Sequence, residues 1–301
     1  MEVIYLTAIM VMRVVQAIYS KKANILLPNT AKSYIAYTAV SKLFAAGFAL
    51  VLFLIEANFS GLDGTTVLIA SCSGMFLAIG GVFSILALKT GTMVLNSLFA
   101  TAGMIIPCIL GHFVFQDYMS WQQILCIIAF LGSSILMVGD TKKTFKGFTV
   151  KTIFYLIGSL ISNGLVMFCQ TYFGKVKANG NVSLFSLLTF IIPGILMSII
   201  LLFLPNKKEE TAEGKIVIQK VMPKKLYLYA TFLAVAVFIV NQFVTILTPI
   251  QSPAVLFTFV MGGATVISAI VGLLIYKEKL TVKSTIGLVL ALAAMVCIKI
   301  F

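Results

Sequence analysis

Ten runs of about 20 mostly apolar residues, separated by short polar breaks, dominate this sequence of 301 residues. A run of that length is what an α-helix needs to cross the hydrocarbon core of a bilayer, where a helix satisfies its own backbone without water. The runs lie near 4–24, 32–55, 66–88, 92–115, 121–139, 149–174, 182–204, 226–248, 252–275 and 282–300. The breaks carry helix-ending chemistry, such as LLPNTAKS at 26–33, SGLDGTT at 60–66, KANGN at 177–181 and TPIQSP at 248–253. The expected fold is therefore an all-α integral membrane protein with ten transmembrane helices.

Ten spans nearly consume the chain, so no separate soluble domain is expected. A Walker-type phosphate loop is also missing, which disfavours an ATP-driven pump on one chain. With 60% hydrophobic and only 10% charged residues, the mean hydropathy is +1.10. The net charge of +13 does not point to nucleic acid, because the lysines sit in loops rather than on one basic face. The N-terminal MEVIYLTAIMVM has neither a basic leader nor a small-residue cleavage site, so a retained first helix is expected. Cys72, Cys108, Cys126, Cys169 and Cys297 all fall inside apolar runs without CxxC or histidine pairing. They are expected to be buried hydrophobes, with no metal and no cofactor.

The segment GHFVFQDYMSWQQILCIIAF at 111–130 returns, imperfectly, 161 positions later in GLLIYKEKLTVKSTIGLVL at 272–290. Gly111 falls on Gly272, Phe115 on Tyr276, Asp117 on Glu278 and Ser120 on Thr281. Such a repeated boundary divides the chain into a five-helix unit at 1–140, a linker at 141–148, and a second five-helix unit at 149–301. The second unit carries a polar loop at 205–225, expected to be solvated and with room for a surface helix. Five is odd, so the second unit re-enters from the opposite side, giving two inverted five-helix repeats with a site near the midplane. At each boundary the acid can favour the next helix's dipole or serve transport directly. The chain resembles the drug/metabolite transporter superfamily, EamA type, through its two halves and their acid-containing hinges FQDYMS and YKEKLT. The resemblance implies the ten-helix fold and a transport role, in a bacterial plasma membrane, but no substrate.

Arg13 lies nine residues into the first run and Lys42 ten into the second. At 1.5 Å per residue, each is roughly 14 Å from where its run begins, close to mid-membrane. Ionisable residues at that depth either line a polar cavity or make a structural bond. Gln16 and Ser20 continue the Arg13 face. In the sixth run Asn163, Met167 and Gln170 form a similar stripe, and a shift of 154 places Gln16 on Gln170. Asn241, Thr245 and Thr248 form another in the eighth, and Asn96 lies in the fourth. Tyr19, Tyr37, Phe99 and Tyr172 are candidate cavity walls, although amides, hydroxyls and aromatics also join helices without any ligand. His112 is expected to be structural.

All nine acids fall at helix ends or in loops, which disfavours cation efflux and suits a substrate carboxylate or phosphate. The expected function is secondary transport of a small anionic or zwitterionic metabolite, of amino-acid or organic-acid type, by alternating access. The partners are that metabolite and the bilayer, with the chain a monomer or weak homodimer. The alternatives are an exporter of hydrophobic or cationic drug-like compounds and a non-transport membrane protein. A membrane-embedded enzyme would need a nucleophile, metal cluster or acid/base pair at membrane depth, and none is visible. Of the 22 basic residues, seventeen lie in the loops after the odd-numbered runs and only Lys175, Lys177 and Lys299 on the other side. Positive-inside bias then puts both termini outside, where the resemblance implies that they are inside.

Overall fold

A computed structural model of the chain describes residues 2–28, 30–56, 63–90, 93–137, 149–177, 180–205, 208–210, 216–218, 221–274 and 281–300. The expected linker at 141–148 and the acid Glu278 of the second hinge lie outside the described residues.

The described chain is almost wholly helical. Helices α1 (Glu2–Leu26), α2 (Ala31–Glu56) and α3 (Gly64–Thr90) are followed by α4 (Met93–Ala102), α5 (Ile105–Phe115) and α6 (Trp121–Met137). Then come α7 (Val150–Val176), α8 (Val182–Phe203), α9 (Lys224–Leu247), α10 (Pro253–Leu274) and α11 (Val282–Ile300). Among the described residues, eight segments are long and apolar enough to cross a membrane, and Trp121–Leu136 and Val282–Ile298 are shorter apolar helices. These are the helices of a multi-pass integral membrane protein.

The fourth expected span is broken, with α4 and α5 meeting at Gly103 and Met104. Pro107 explains the position: it has no N–H for the Gly103 carbonyl, and its ring crowds that carbonyl. The Gly103 oxygen instead accepts from the Ile106 N–H at 3.1 Å. Pro193 sits within α8 without ending it. The 205–225 connection holds a two-stranded antiparallel ribbon, β1 (Lys208–Glu210) with β2 (Ile216–Ile218), rather than a helix.

Helix α2 runs against α8, α3 against α7, α1 against α9, and α6 against α11. In addition α3 packs on α8, α2 on α9, α1 on α10, and α7 on both α4 and α5. Two of these crossings are very close. A Cβ on Gly164 would stand 2.5 Å from the Gly103 carbonyl oxygen, and one on Gly263 would stand 2.5 Å from the Met10 sulfur. The largest buried apolar cluster, with Ile9, Met104, Phe130 and Phe257, lies where α1, α5, α6, α9, α10 and α11 converge.

Helix ends meet in two groups. In one, Glu2 bonds Gln251, Ser183 donates to Glu56 at 2.8 Å, Lys177 pairs with Asp63 at 2.6 Å, and Lys175 pairs with Asp117. In the other, Lys32 Nζ donates to the Leu204 carbonyl at 2.6 Å, and Ser284 Oγ donates to that of Met137 at 3.4 Å.

Candidate functional site

The polar stripe of α1 and part of the stripe of α7 line one cavity of about 320 Å³. That volume is at the small end of the roughly 300–1,000 Å³ of ligand pockets. Arg13, Gln16 and Ser20 come from α1, Gln170 with Val166 and Met167 from α7, and Asn241 with apolar neighbours from α9. Lys42 of α2, Leu77 of α3, Phe190 of α8 and Phe257 of α10 complete the wall.

Charge is the main electrostatic feature. Arg13 Nη1 donates to Gln16 Oε1 at 2.8 Å, while its Nε–H is sealed without an acceptor. Lys42 Nζ stands 5.4 Å from the centre of the Phe190 ring, a cation–π contact that leaves the ammonium donors unfilled. No carboxylate lines the cavity among the described residues. Arg13 and Lys42 therefore offer unused donors and uncompensated positive charge where water is scarce, which favours an anion.

Opposite them, the amides are fixed from behind. Gln170 Nε2 donates to Asn241 Oδ1 at 2.6 Å, and Asn241 Nδ2 donates to Ser186 Oγ at 3.0 Å. Ser186 Oγ donates to Gln242 Oε1 at 2.8 Å, Gln242 Nε2 donates to Ser183 Oγ at 2.9 Å, and Ser183 ends on Glu56. Neither Ser183, Ser186, Gln242 nor Glu56 was expected as a site residue. A sequence signal existed in the adjacent amides Asn241 and Gln242. Successive helical side chains differ by about 100° in direction, so one can face a cavity while its neighbour faces the next helix.

The other expected residues lie elsewhere. Tyr19 stacks on Phe232 at 4.6 Å between ring centres, and Tyr37 is buried against Ala23, Met222 and Leu226 with its hydroxyl unpartnered. Phe99 packs beside Leu156 and Tyr155, and Asn96 holds a buried side-chain oxygen without a partner. Asn163 Nδ2 donates to the Ser159 carbonyl at 2.8 Å. Tyr172 packs near Phe115, and Thr245 returns its hydroxyl to the Asn241 carbonyl at 2.8 Å. Arg13, Gln16, Ser20, Lys42, Met167, Gln170 and Asn241 are thus the expected residues that the fold gathers around the cavity.

At the first hinge, Gln116 adopts the left-handed conformation (φ 54°) that ends α5. Ser120 and Gln123 cap α6 reciprocally, at 3.2 and 3.3 Å. Thr281 caps α11 through the Ser284 N–H at 3.2 Å. Asp117 reaches Lys175 at the end of α7 instead of the α6 N-terminus, and His112 Nδ1–H donates to the Asp117 carbonyl at 2.9 Å. Hydrogen bonds from Lys177 and then Thr66 hold the Asp63 carboxyl well below the usual carboxylate range, at about 2.

No protein-family model and no curated protein matches the chain. A solved structure described only as the crystal structure of a protein matches its fold, at a TM-score of 0.76 and 11% identity over 98% of this chain and 95% of the other.

Proposed function

We propose that this chain is a secondary transporter of the drug/metabolite transporter type, moving a small anionic or zwitterionic metabolite by alternating access. The observation that carries the reading is a cavity with two uncompensated cations and no lining carboxylate among the described residues. An exporter of cations would need the opposite charge there.

Three features of the packing support ten crossings in two inverted repeats. If the chain alternates sides at every span, the starts of odd spans share a face with the ends of even ones. Each of the six helix-end contacts obeys that rule. Glu2, Glu56, Asp63, Asp117, Lys175, Lys177, Ser183 and Gln251 then share one face, with Lys32, Met137, Leu204 and Ser284 on the other. Second, exchanging the halves (α1 with α7, α2 with α8, α3 with α9, α4 and α5 with α10, α6 with α11) turns the most extensive helix contacts into one another. The α3–α7 contact becomes α9–α1, α3–α8 becomes α9–α2, and α7 on α4 and α5 becomes α1 on α10. Third, the close crossing of Gly164 on Gly103 is matched by that of Met10 on Gly263. Met10 is 154 positions before Gly164, the shift that also relates Gln16 to Gln170.

The face shared by Lys32 is the lysine-rich one and is assigned to the cytoplasm of a bacterial plasma membrane, leaving both termini outside. The asymmetry is sharper than a residue count indicates, because Lys175 and Lys177 on the outer face are each paired with an aspartate. Purified protein screened by thermal shift against organic acids, amino acids and lipophilic cations, then by counterflow in proteoliposomes with the hits, tests the reading. Saturable exchange of an acid or zwitterion is expected. Exchange of cations alone overturns it.

A further inference from the structure

The amide chain behind the cavity has a direction that its far end dictates. Glu56 lies at the exposed end of α2, and its carboxylate can only accept hydrogen bonds while ionised. Ser183, fully buried, must therefore spend its one proton on Glu56, and so accepts from Gln242. The Gln242 amide has then turned its nitrogen to Ser183, leaving its oxygen for the Ser186 proton. Ser186 in turn accepts from the Asn241 nitrogen, and the Asn241 oxygen accepts from Gln170. At every link the donor faces Glu56 and the acceptor faces the cavity. With one Gln170 N–H committed to Asn241, the amide plane of this cavity-lining residue is fixed, and its side-chain oxygen accepts nothing from the described residues.

We propose that Glu56 acts as a remote positioning residue: through the directed chain it holds Gln170 with its carbonyl oxygen available to the ligand, so that the site selects an anion that also carries a hydrogen-bond donor. This rests on the anion-site reading and narrows it. Arg13 and Lys42 engage a carboxylate, and Gln170 engages an ammonium or hydroxyl group near it. An α-amino acid fits such a pair of demands, and an α-keto acid of the same skeleton sets an acceptor against an acceptor. Leaving that contact unpaired in a desolvated site costs roughly 1–3 kcal/mol, about a five- to 150-fold difference in affinity.

The chain also makes an unusual demand on its variants. A donor-only side chain in place of Glu56 removes the acceptor that takes the Ser183 proton, which frees Ser183 to donate inward and leaves the later links without a fixed direction. Glu56 is exposed, so Glu56→Lys places its charge in solvent and the fold tolerates it. Removing a middle link, as in Ser186→Ala, leaves Gln170 without an imposed direction.

The experiment is ligand-dependent thermal stabilisation of the purified full chain by three matched pairs: alanine and pyruvate, leucine and 4-methyl-2-oxopentanoate, glutamate and 2-oxoglutarate. The wild type is expected to favour the amino acid of at least one pair by about fivefold or more. Ser186→Ala and Glu56→Lys should each reduce that preference severalfold, both without loss of binding to the keto acid. A role confined to folding would instead weaken both members of a pair alike. Equal preference in the wild type, an unchanged ratio in both variants, or no stabilisation by any of the six acids overturns the assignment of Glu56. Keto acids that bind as well as amino acids sink this inference and leave the anion site standing. Stabilisation by lipophilic cations with none by the acids sinks both.

Discussion

Arg13 carries the most informative chemistry in the cavity, because its guanidinium has one neutral partner and a sealed, unfilled Nε–H. Arg13→Gln should remove a charge-assisted contact worth roughly 1.5–3 kcal/mol, a loss of about ten- to hundredfold in affinity for an anionic ligand. The fold should survive, since glutamine keeps hydrogen-bonding capacity and deletes a charge that is expensive to bury. Lys42→Met should act in the same direction with a smaller loss, because lysine offers a point charge rather than a planar fork. Half-saturation in counterflow, read beside the melting temperature of each variant, checks both; unchanged affinity in Arg13→Gln would return that residue to a structural role. These two cations were legible in the sequence because depth alone singles out a charge in an apolar run, and Gln16 and Gln170 because their spacing defines a face. Tyr19, Tyr37, Phe99 and Tyr172 were not separable in the same way. A helical stripe fixes directions within one helix but not how that helix is rotated against its neighbours, and in a chain with 24 phenylalanines an aromatic finds a packing partner in almost any direction.

At the scale of elements, backbone proximity limits what the helices tolerate. Where α7 crosses the α4–α5 break, a Cβ at Gly164 would meet the Gly103 carbonyl oxygen and the Ile106 side chain, each at 2.5 Å. One of those atoms is backbone and cannot rotate away, so Gly164→Ala must push the helices apart. Overpacking of this kind costs roughly 1–3 kcal/mol. Gly132 in α6 has nothing within 4 Å of the same position, which makes Gly132→Ala the control. The melting temperature of purified protein should fall for the first variant and hold for the second, and equal midpoints would mean that the crossing has slack. Pro107 explains why α4 and α5 separate. The sequence did not announce which glycine meets which partner, because that depends on contacts between segments about 60 residues apart. The strand pairing in the 205–225 connection was hidden for a related reason: three-residue strands are too short to display a period.

For the whole molecule, the proposed orientation rests on charge, and the helix-end contacts tie it to particular positions. On the proposed topology Lys225 begins α9 on the face shared with Lys32, and Ile250 follows α9 on the face shared with Glu2. Both are exposed, Ile250 at 61%, so a cysteine at either should be reachable without unfolding. In a background with the five native cysteines replaced, a membrane-impermeant maleimide applied to intact cells should modify Ile250→Cys readily. It should reach Lys225→Cys only after permeabilisation. The reverse pattern would place the lysine-rich face outside and both termini in the cytoplasm, with the cavity chemistry unaffected. Labelling of both positions in intact cells would be more damaging. Helix α9 would then have failed to separate two faces, and the alternation that organises all six helix-end contacts would have to be abandoned with it.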